Sequence, residues 1–348
     1  METKVIKIES PNEIDKVQEA AQHLKEGHLV VFPTETVYGL GAHGLNSEAI
    51  DQIFLAKGRP KDNPLILHIA ETEQVLDLVK VIPPIAQDCM DLFWPGPLTL
   101  IMERSKIVPD SITAGLDTVA IRMPSHPIAH AILKEANIPV AAPSANTSGR
   151  PSPTRLSHVL EDMNGKVQVI VDGGEADWGI ESTVLDVTGK RPMILRPGGV
   201  TKEDLEAILG PVDVDETTIK TEEGLVPKSP GQKYRHYAPK GECTLFAGNL
   251  TNVAKEVNKR IQENSDKKIA VLATSETKDM YEGMDLLIDM GSREELGEVA
   301  KNLFDCLRKC DEENVEIIYA EGFEFHDLGV GIMNRLLKAC GGKVVLGL

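Results

Sequence analysis

Three cations stand within five positions of an otherwise acidic chain, in the run Lys57-Gly-Arg59-Pro-Lys61. An arginine offers a planar fork that matches phosphate oxygens, and a lysine offers a point charge. The end of a predicted helix favours cations by itself, which explains Lys57 but not the Arg-Pro-Lys-Asp-Asn-Pro continuation. The run therefore predicts a site for a polyphosphate, which usually also needs Mg²⁺.

Other polar side chains follow predicted strands. The run PTETVYGLG (33–41) either lines a pocket with hydroxyl groups or is a turn whose threonines satisfy the backbone. Arg122 ends an apolar strand, where it needs an anionic partner, and Asp117 is the acid nearest to it in that segment. We therefore expect a substrate carboxylate as its partner. A lone strand histidine such as His68 is more often a core residue than a ligand.

Three further loops carry short polar side chains. They are PSANTSGRP (143–151), EST (181–183) and RPGG (196–199). The first has an alternative interpretation as a simple turn rich in serine and asparagine. Because ligands of α/β proteins bind at strand ends, the loops together predict one polar site.

A dinucleotide site is an alternative, since residues 39–44 fit the pattern GxGxxG. That fingerprint needs its last glycines in the first turn of a helix, and the next predicted helix begins only near Ser47. No P-loop, nucleophile elbow or zinc-binding spacing is found in the sequence. The five cysteines form no CxxC pair, which favours buried, inert thiols over a metal site or a disulfide.

The amino-acid composition limits which partners the protein is expected to bind. The 348 residues include 37 Lys and Arg against 54 Asp and Glu, a net charge of −17 that repels nucleic acid and anionic lipid. An RNA-binding module would need a basic domain, and neither half of the chain is basic. No apolar stretch has the length of a membrane span or a secretory signal. We expect a cytoplasmic protein with no stable nucleic-acid binding and no membrane association.

The elements that must position these residues form two groups. Residues 1–210 alternate strands with helices in part and follow strand with strand in part, which predicts an α/β domain with a twisted mixed sheet. Its first helix is expected to be capped at Ser10 and to end at Gly27. Residues 211–240 are polar and lack periodicity, which indicates a linker. Residues 241–348 predict a small, doubly wound, mostly parallel α/β domain.

Taken in order, the motifs resemble those of the YrdC-like threonylcarbamoyl-AMP synthase family. The matching runs are PTETVYGLG, KGRPKDNPL, AIRMP, APSANTSGRPSPT, IESTV and ILRPGG. The run SPGQKYRHYAPKG before a small α/β domain is similar to the long, two-domain form of that family. Enzymes that use carbamoyl phosphate in protein maturation carry a related domain, but they also have zinc-finger and acylphosphatase parts that this sequence lacks.

The resemblance implies a reaction. L-Threonine, bicarbonate or CO₂, and ATP with Mg²⁺ would give threonylcarbamoyl-AMP, pyrophosphate and water. The product would pass to a separate transferase complex that modifies tRNA beside the anticodon. Mg²⁺ would be held mainly by the phosphates, and no protein ligand for it is identified.

The resemblance also implies roles for individual residues. The catalytic polar set would be Lys57, Arg59, Ser144 and Asn146. ATP would contact these four together with Asn63, Thr118, Ser152, Arg196, Tyr234 and His236. Threonine would contact Thr36, His68, Arg122, the backbone at Ala142, and Ser182. Tyr234 and His236 lie in the linker, which we expect to close over the nucleotide as a lid.

Overall fold

A computed structural model of the protein describes residues 1–218 and 236–347. These residues fall into two compact units. Unit 1 comprises residues 1–148 and 152–218, and unit 2 comprises 149–151 and 236–347. The segment 211–240, predicted as a linker, begins within unit 1, and its central part lies outside the described residues.

Unit 1 is built on one eleven-stranded sheet. Its strands are β1 (Lys4–Lys7), β2 (Val30–Phe32), β3 (Gly39–His43), β4 (Ile66–His68), β5 (Leu98–Glu103), β6 (Thr118–Arg122), β7 (Val140–Ala141), β8 (Val169–Asp172), β9 (Thr183–Asp186), β10 (Met193–Arg196) and β11 (Asp213–Val214). They lie in the order β1-β8-β2-β3-β7-β4-β6-β5-β9-β10-β11. The sheet contains both parallel pairs such as β4–β6 and antiparallel pairs such as β5–β6, which confirms the predicted mixed sheet.

The helices of unit 1 connect these strands. They are α1 (Ile14–Lys25), α2 (Ser47–Lys57), α3 (Val75–Leu78), α4 (Pro84–Phe93), α5 (Asp110–Thr113), α6 (Pro127–Ala136), α7 (Leu156–Met163) and α8 (Lys202–Leu209). The first of them begins at Ile14, and no side chain caps it. The expected cap at Ser10 is therefore wrong, because the Glu13 carboxylate instead accepts the backbone N–H groups of Glu9 and Ser10 ahead of the helix.

The two faces of the sheet are covered differently. Side chains alternate between faces along a strand. One face packs Leu67, Leu100 and Ile121 under helices α2 and α4. On the other face, α1 and α6 cover only the half that contains β8, β2 and β7. The remaining half of that face has a small apolar cluster made of strand residues alone among those described: Ile66, Ile101, Ala120, Val184 and Leu195.

The glycine run 39–44 is part of the sheet. Residues Gly39–His43 form β3, which pairs with β2 and β7. A side chain at Gly41 would meet the Phe32 ring at 2.7 Å, and one at Gly44 would meet Leu67 at 2.5 Å. These glycines are needed for close packing. The dinucleotide interpretation is wrong, because the fingerprint requires a turn into a helix at this point.

Unit 2 has a five-stranded sheet in which every pair is parallel. Its strands are β12 (Glu242–Ala247), β13 (Ile269–Ala273), β14 (Leu286–Asp289), β15 (Ile317–Glu321) and β16 (Val344–Leu346), in the order β14-β13-β15-β12-β16. Its helices are α9 (Leu250–Glu263), α10 (Leu296–Glu312) and α11 (Leu328–Ala339). The separate parallel sheet confirms the small α/β domain predicted for this part of the chain.

Two smaller expectations are also tested. All five cysteines are buried and free of disulfide bonds. Among the described residues, no helix combines the length and the apolar character needed to cross a membrane.

Candidate active site

A row of polar side chains crosses the half of the sheet face that α1 and α6 do not cover. This half is called uncovered in the sense that no described helix packs on it, and its side chains are nevertheless buried. The register pairs His68 of β4 with Arg122 of β6, and Arg122 with Thr99 of β5. Directly paired residues share a face of the sheet, so these three side chains are neighbours. The row continues through Val184 of β9, which pairs with both Thr99 and Arg196.

Arg122 lies at the centre of this row and is 4% exposed. Its Nη2 is 2.6 Å from Oε1 of Glu35, and its Nη1 donates to the hydroxyl of Thr36 at 2.9 Å. Its Nε donates to the carbonyl of Gly96 at 3.3 Å. The acid that partners Arg122 therefore comes from the PTETVYGLG run, and not from its own strand or from a substrate alone.

Glu35 is buried, and burial raises the pKa of its carboxyl group. The charge and hydrogen bonding of Arg122, together with nearby backbone amides, outweigh burial, so the pKa ends below its ordinary value. No donor within the described residues meets hydrogen-bond geometry at either carboxylate oxygen, although the backbone amides of Glu35 and Ser125 also lower the pKa. Sequence reasoning gave Glu35 no individual role, because a contact between positions 35 and 122 depends on the fold.

His68 is fully enclosed on the same face. Burial, together with the adjacent positive charge of Arg122, lowers the pKa of its ring to about 3. Its Nδ1 lies 3.2 Å from the carbonyl of Ile66. The ring is therefore neutral at physiological pH and acts as a hydrogen-bonding group without charge.

Ser182 and Arg196 are brought together beside this row. Arg196 donates from Nη2 to the Ser182 hydroxyl at 3.1 Å and from Nε to its carbonyl at 3.0 Å. The same hydroxyl lies 2.8 Å from Oγ1 of Thr99. Thr99 had no role in the sequence analysis, and its only sequence signal is that it is the polar residue of an apolar strand. Ser152 is buried and donates to Glu181.

A second group surrounds Lys57 at the end of α2. Its ammonium donates to the carbonyl of Ser144 and, at 2.7 Å, to that of Asn146. The Ser144 hydroxyl donates to the Asn146 side chain at 2.5 Å. The structure thus brings together three of the four residues predicted as a catalytic set. Lys57 fixes the backbone of the 144–146 loop as well as supplying charge.

Arg59 and Asn63 lie in the segment that leads into β4. Arg59 Nη2 donates to the carbonyl of Pro64 at 3.1 Å and is 3.4 Å from that of Asn63. Thr118 begins β6 and faces the same side of the sheet as Arg122, at the opposite end of the strand. Four residue steps along the strand separate them by about 13 Å. This stretch of the sheet face is called the groove below. Predicted nucleotide and threonine residues meet within it, since Arg196 contacts Ser182.

Three predicted residues remain. The N–H of Ala142 donates to the carbonyl of Ile66 at 3.1 Å, beside His68. Tyr234 lies outside the described residues. His236 belongs to unit 2, where its ring centre is 5.6 Å from that of Tyr237. The roles assigned to individual residues from the resemblance stay predictions.

Two family models match the chain. The Sua5/YciO/YrdC model, described as telomere recombination, matches residues 22–198. The model described as the threonylcarbamoyl-AMP synthase C-terminal domain matches residues 200–341.

Similar proteins cover nearly the whole chain. Threonylcarbamoyl-AMP synthase of Bacillus subtilis is 45% identical over 95% of this chain and 94% of its own length. The synthase of Pyrococcus abyssi is 45% identical over 99% of each chain. A crystal structure of P. abyssi Sua5 complexed with L-threonine matches with a TM-score of 0.93 and 44% identity, over 99% of each chain. The chain therefore belongs to the threonylcarbamoyl-AMP synthase family in its two-domain form, and its activity is the synthesis of threonylcarbamoyl-AMP.

Proposed function

We propose that the uncovered sheet face of unit 1 is where L-threonine, bicarbonate and ATP are joined, with release of pyrophosphate. The observation that carries this assignment is the row of His68, Arg122 and Thr99 across one face, with the Lys57 group near the end of α2. The threonine complex of P. abyssi Sua5 supports the choice of amino acid.

At the threonine end, Arg122 binds the substrate carboxylate. A guanidinium has five N–H donors. Hydrogen bonds to Thr36 and Gly96 use two of them, and Glu35 contacts Nη2 as an ion pair, so at least two donors are left for a substrate carboxylate. Glu35 and Thr36 hold the guanidinium in one orientation, which makes them positioning residues. Neutral His68 and the hydroxyl of Ser182 are the groups suited to the threonine hydroxyl.

The chemistry needs no nucleophilic side chain. Bicarbonate loses water to give CO₂, taking up a proton. The threonine amine attacks CO₂ and releases a proton to form a carbamate, whose oxygen then attacks the α-phosphorus of ATP as pyrophosphate leaves. Lys57, Arg59 and Arg196 neutralise charge that develops on the phosphates, and the groove holds the reactants in line. A site closed during the reaction would protect the carbamate and the mixed anhydride from water.

Mg²⁺ fits this site as a companion of ATP. Glu181 is one carboxylate near the predicted nucleotide residues, and it accepts the Ser152 hydroxyl. The group of three metal-binding side chains found among the described residues lies elsewhere, at the end of α1. Phosphate and water oxygens would therefore supply most of the ligands, and the ion would reduce the charge repulsion between phosphates. The product is proposed to serve a transferase that modifies tRNA.

Release of pyrophosphate under omission of single substrates tests the proposal. Release should require ATP, threonine and bicarbonate together. Arg59→Ala should lower the rate by roughly two to three orders of magnitude, because a charge-assisted contact to phosphate is lost. Arg191→Ala is the matched control, since that side chain is 65% exposed on the same unit. Equal release without threonine, or a normal rate in Arg59→Ala, would contradict the proposal.

A further inference from the structure

A second cluster of chemically capable side chains lies outside the groove, at the end of α1. His23, Glu26 and His28 each present one ligand atom, and these atoms lie within 4.8 Å of one another. Neither the sequence motifs nor the reaction uses them. Two imidazoles and one carboxylate form a donor set typical of zinc sites with an open position.

The turn after α1 explains why the two histidines meet. Gly27 has φ of 82°, which reverses the chain in the left-handed conformation that glycine adopts readily. Its N–H donates to the carbonyl of Leu24 at 3.1 Å, and that of His28 donates to the carbonyl of His23 at 2.9 Å. This pair of bonds is a Schellman motif, and it places His28 directly beside His23.

The spacing of the donor atoms matches tetrahedral coordination. Zn–N bonds of about 2.0–2.1 Å place two ligand nitrogens about 3.3–3.4 Å apart. Here the two Nδ1 atoms are 3.0 Å apart, and Nδ1 of His28 is 3.4 Å from Oε2 of Glu26. Small rotations of the side chains would suffice to admit an ion, so the backbone already supplies the arrangement.

The surroundings favour a cation that arrives from solvent. The side chains of His28 and Glu26 are 39% and 47% exposed, so an ion has access. The carbonyl groups at the end of a helix carry partial negative charge. Gln22 donates to Oε1 of Glu26 at 2.8 Å, which orients the carboxylate with Oε2 towards His28. Such an outer contact is what metal-binding carboxylates usually have.

We propose that His23, Glu26 and His28 form a zinc-binding site, with water in the fourth position. In the metal-free protein the two Nδ1 atoms share one hydrogen bond, so one ring carries its proton on Nδ1. When zinc binds both Nδ1 atoms, that ring carries its proton on Nε2 instead. The ion joins the end of α1 to the segment that enters β2, and should therefore stabilise unit 1 when bound.

Titration of the full-length, metal-stripped protein with Zn²⁺ alone tests the site. One ion per chain should bind, and His23→Ala and His28→Ala should each weaken the affinity at least about tenfold. His326→Ala is the matched control, because His326 is an exposed histidine that also contacts two carboxylates, those of Glu324 and Asp327. It should leave the affinity unchanged. Equal affinity in all three variants would overturn the proposal.

Two further readouts separate a built site from a loose surface contact. Co²⁺ in place of zinc should give the strong visible absorption of a four-coordinate ion, and the spectrum of a hydrated ion would contradict the site. Gly27→Ala keeps all three ligands but strains the turn, so it should weaken zinc binding while the circular dichroism stays that of a folded protein. Unchanged zinc affinity in that variant would refute the role of the turn.

Discussion

Among the described residues, unit 1 pairs the buried Arg122 with Glu35, unit 2 pairs the half-buried Arg293 with the buried Glu321, and the two pairs have different surroundings. Arg122 and Glu35 pair at 2.6 Å in unit 1, and Arg293 and Glu321 pair at 2.8 Å in unit 2. Both arginines also donate to a threonine hydroxyl and to a backbone carbonyl. The two pairs differ in the hydrogen bonds that the glutamate accepts.

Glu321 has its oxygens surrounded by donors. One oxygen accepts the hydroxyls of Thr277 and Tyr281. The other accepts the backbone N–H of Thr274 at 3.3 Å, its hydroxyl at 3.0 Å, and Arg293. Burial and the charge of Glu321 raise the pKa of Tyr281, so its hydroxyl remains a donor. A fully bonded network of this kind serves stability.

Glu35 lacks such a set among the described residues and relies on Arg122. Buried polar groups with incomplete partners are uncommon and are found at functional sites. The comparison teaches that a buried ion pair alone does not identify a site. The hydrogen bonds that it leaves unmade, and the uncovered sheet face around it, distinguish the pair in unit 1.

Replacement of Arg122 should have the largest effect. In Arg122→Ala, kcat/KM for threonine should fall at least about a thousandfold, and Glu35 would remain as a buried charge without its partner, which costs roughly 3–5 kcal/mol of stability. Arg122→Lys keeps a positive charge beside Glu35 and should stay folded while the KM for threonine rises. Steady-state kinetics and urea unfolding measure both effects. A normal threonine KM in the lysine variant would contradict the assignment of the Arg122–Glu35 pair to the substrate site.

Replacement of Glu321 should affect stability instead. Glu321→Gln places an amide NH₂ among donors and should lower the free energy of unfolding by roughly 3 kcal/mol. The threonine KM of the folded enzyme should stay within about twofold of the wild-type value. Glu324→Gln, whose side chain is 86% exposed, is the control. A large rise in threonine KM without a loss of stability would show that the pair in unit 2 is not structural.

His68 should make the stability of unit 1 sensitive to acid. Its pKa is about 3 in the folded protein, below the value of the unfolded chain, so the unfolded chain binds more protons between about pH 6.5 and pH 3. The free energy of unfolding should therefore be fully maintained above that range. Within the range it should fall by about 1.4 kcal/mol for each unit by which the pH is lowered. His68→Gln should reduce this slope. His326→Gln, on an exposed side chain, should leave it in place, and identical slopes in all three proteins would refute the assignment.

Tyr281→Phe should have the smallest of these effects. It removes one hydrogen bond to Glu321, which should cost about 1.5–3 kcal/mol at most. Tyr319→Phe removes only a hydrogen bond from Asn264 at 3.4 Å and should cost less. Thermal unfolding compares the two variants. Equal losses of stability in the two variants would mean that the Tyr281 hydroxyl does not stabilise the Glu321 carboxylate. The hydrogen bonds around Glu321 would then not explain how its charge is tolerated in the interior.

Local signals in the sequence were sufficient for most elements. Apolar runs such as LTLIM and VIVD became β5 and β8, and Gly27 ends α1 as expected. Strand β3 is harder to recognise, because a strand rich in glycine resembles a turn until the packing of Phe32 and Leu67 against it is known. The expected start of α1 is wrong because the Glu13 carboxylate accepts the N–H groups of both Glu9 and Ser10 ahead of the helix, which begins only at Ile14.

In the candidate site, too, some features follow from local sequence and others from the tertiary structure. The sequence alone determined which residue types stand at strand ends, the family to which their order points, and the division into two α/β parts, since these depend on short-range pattern and composition. Only the tertiary structure decided that Glu35 pairs with Arg122, that Thr99 meets Ser182, and that one half of one sheet face lacks a helix. These contacts join residues far apart in the chain, so they follow from strand order and register, and local spacing does not encode them.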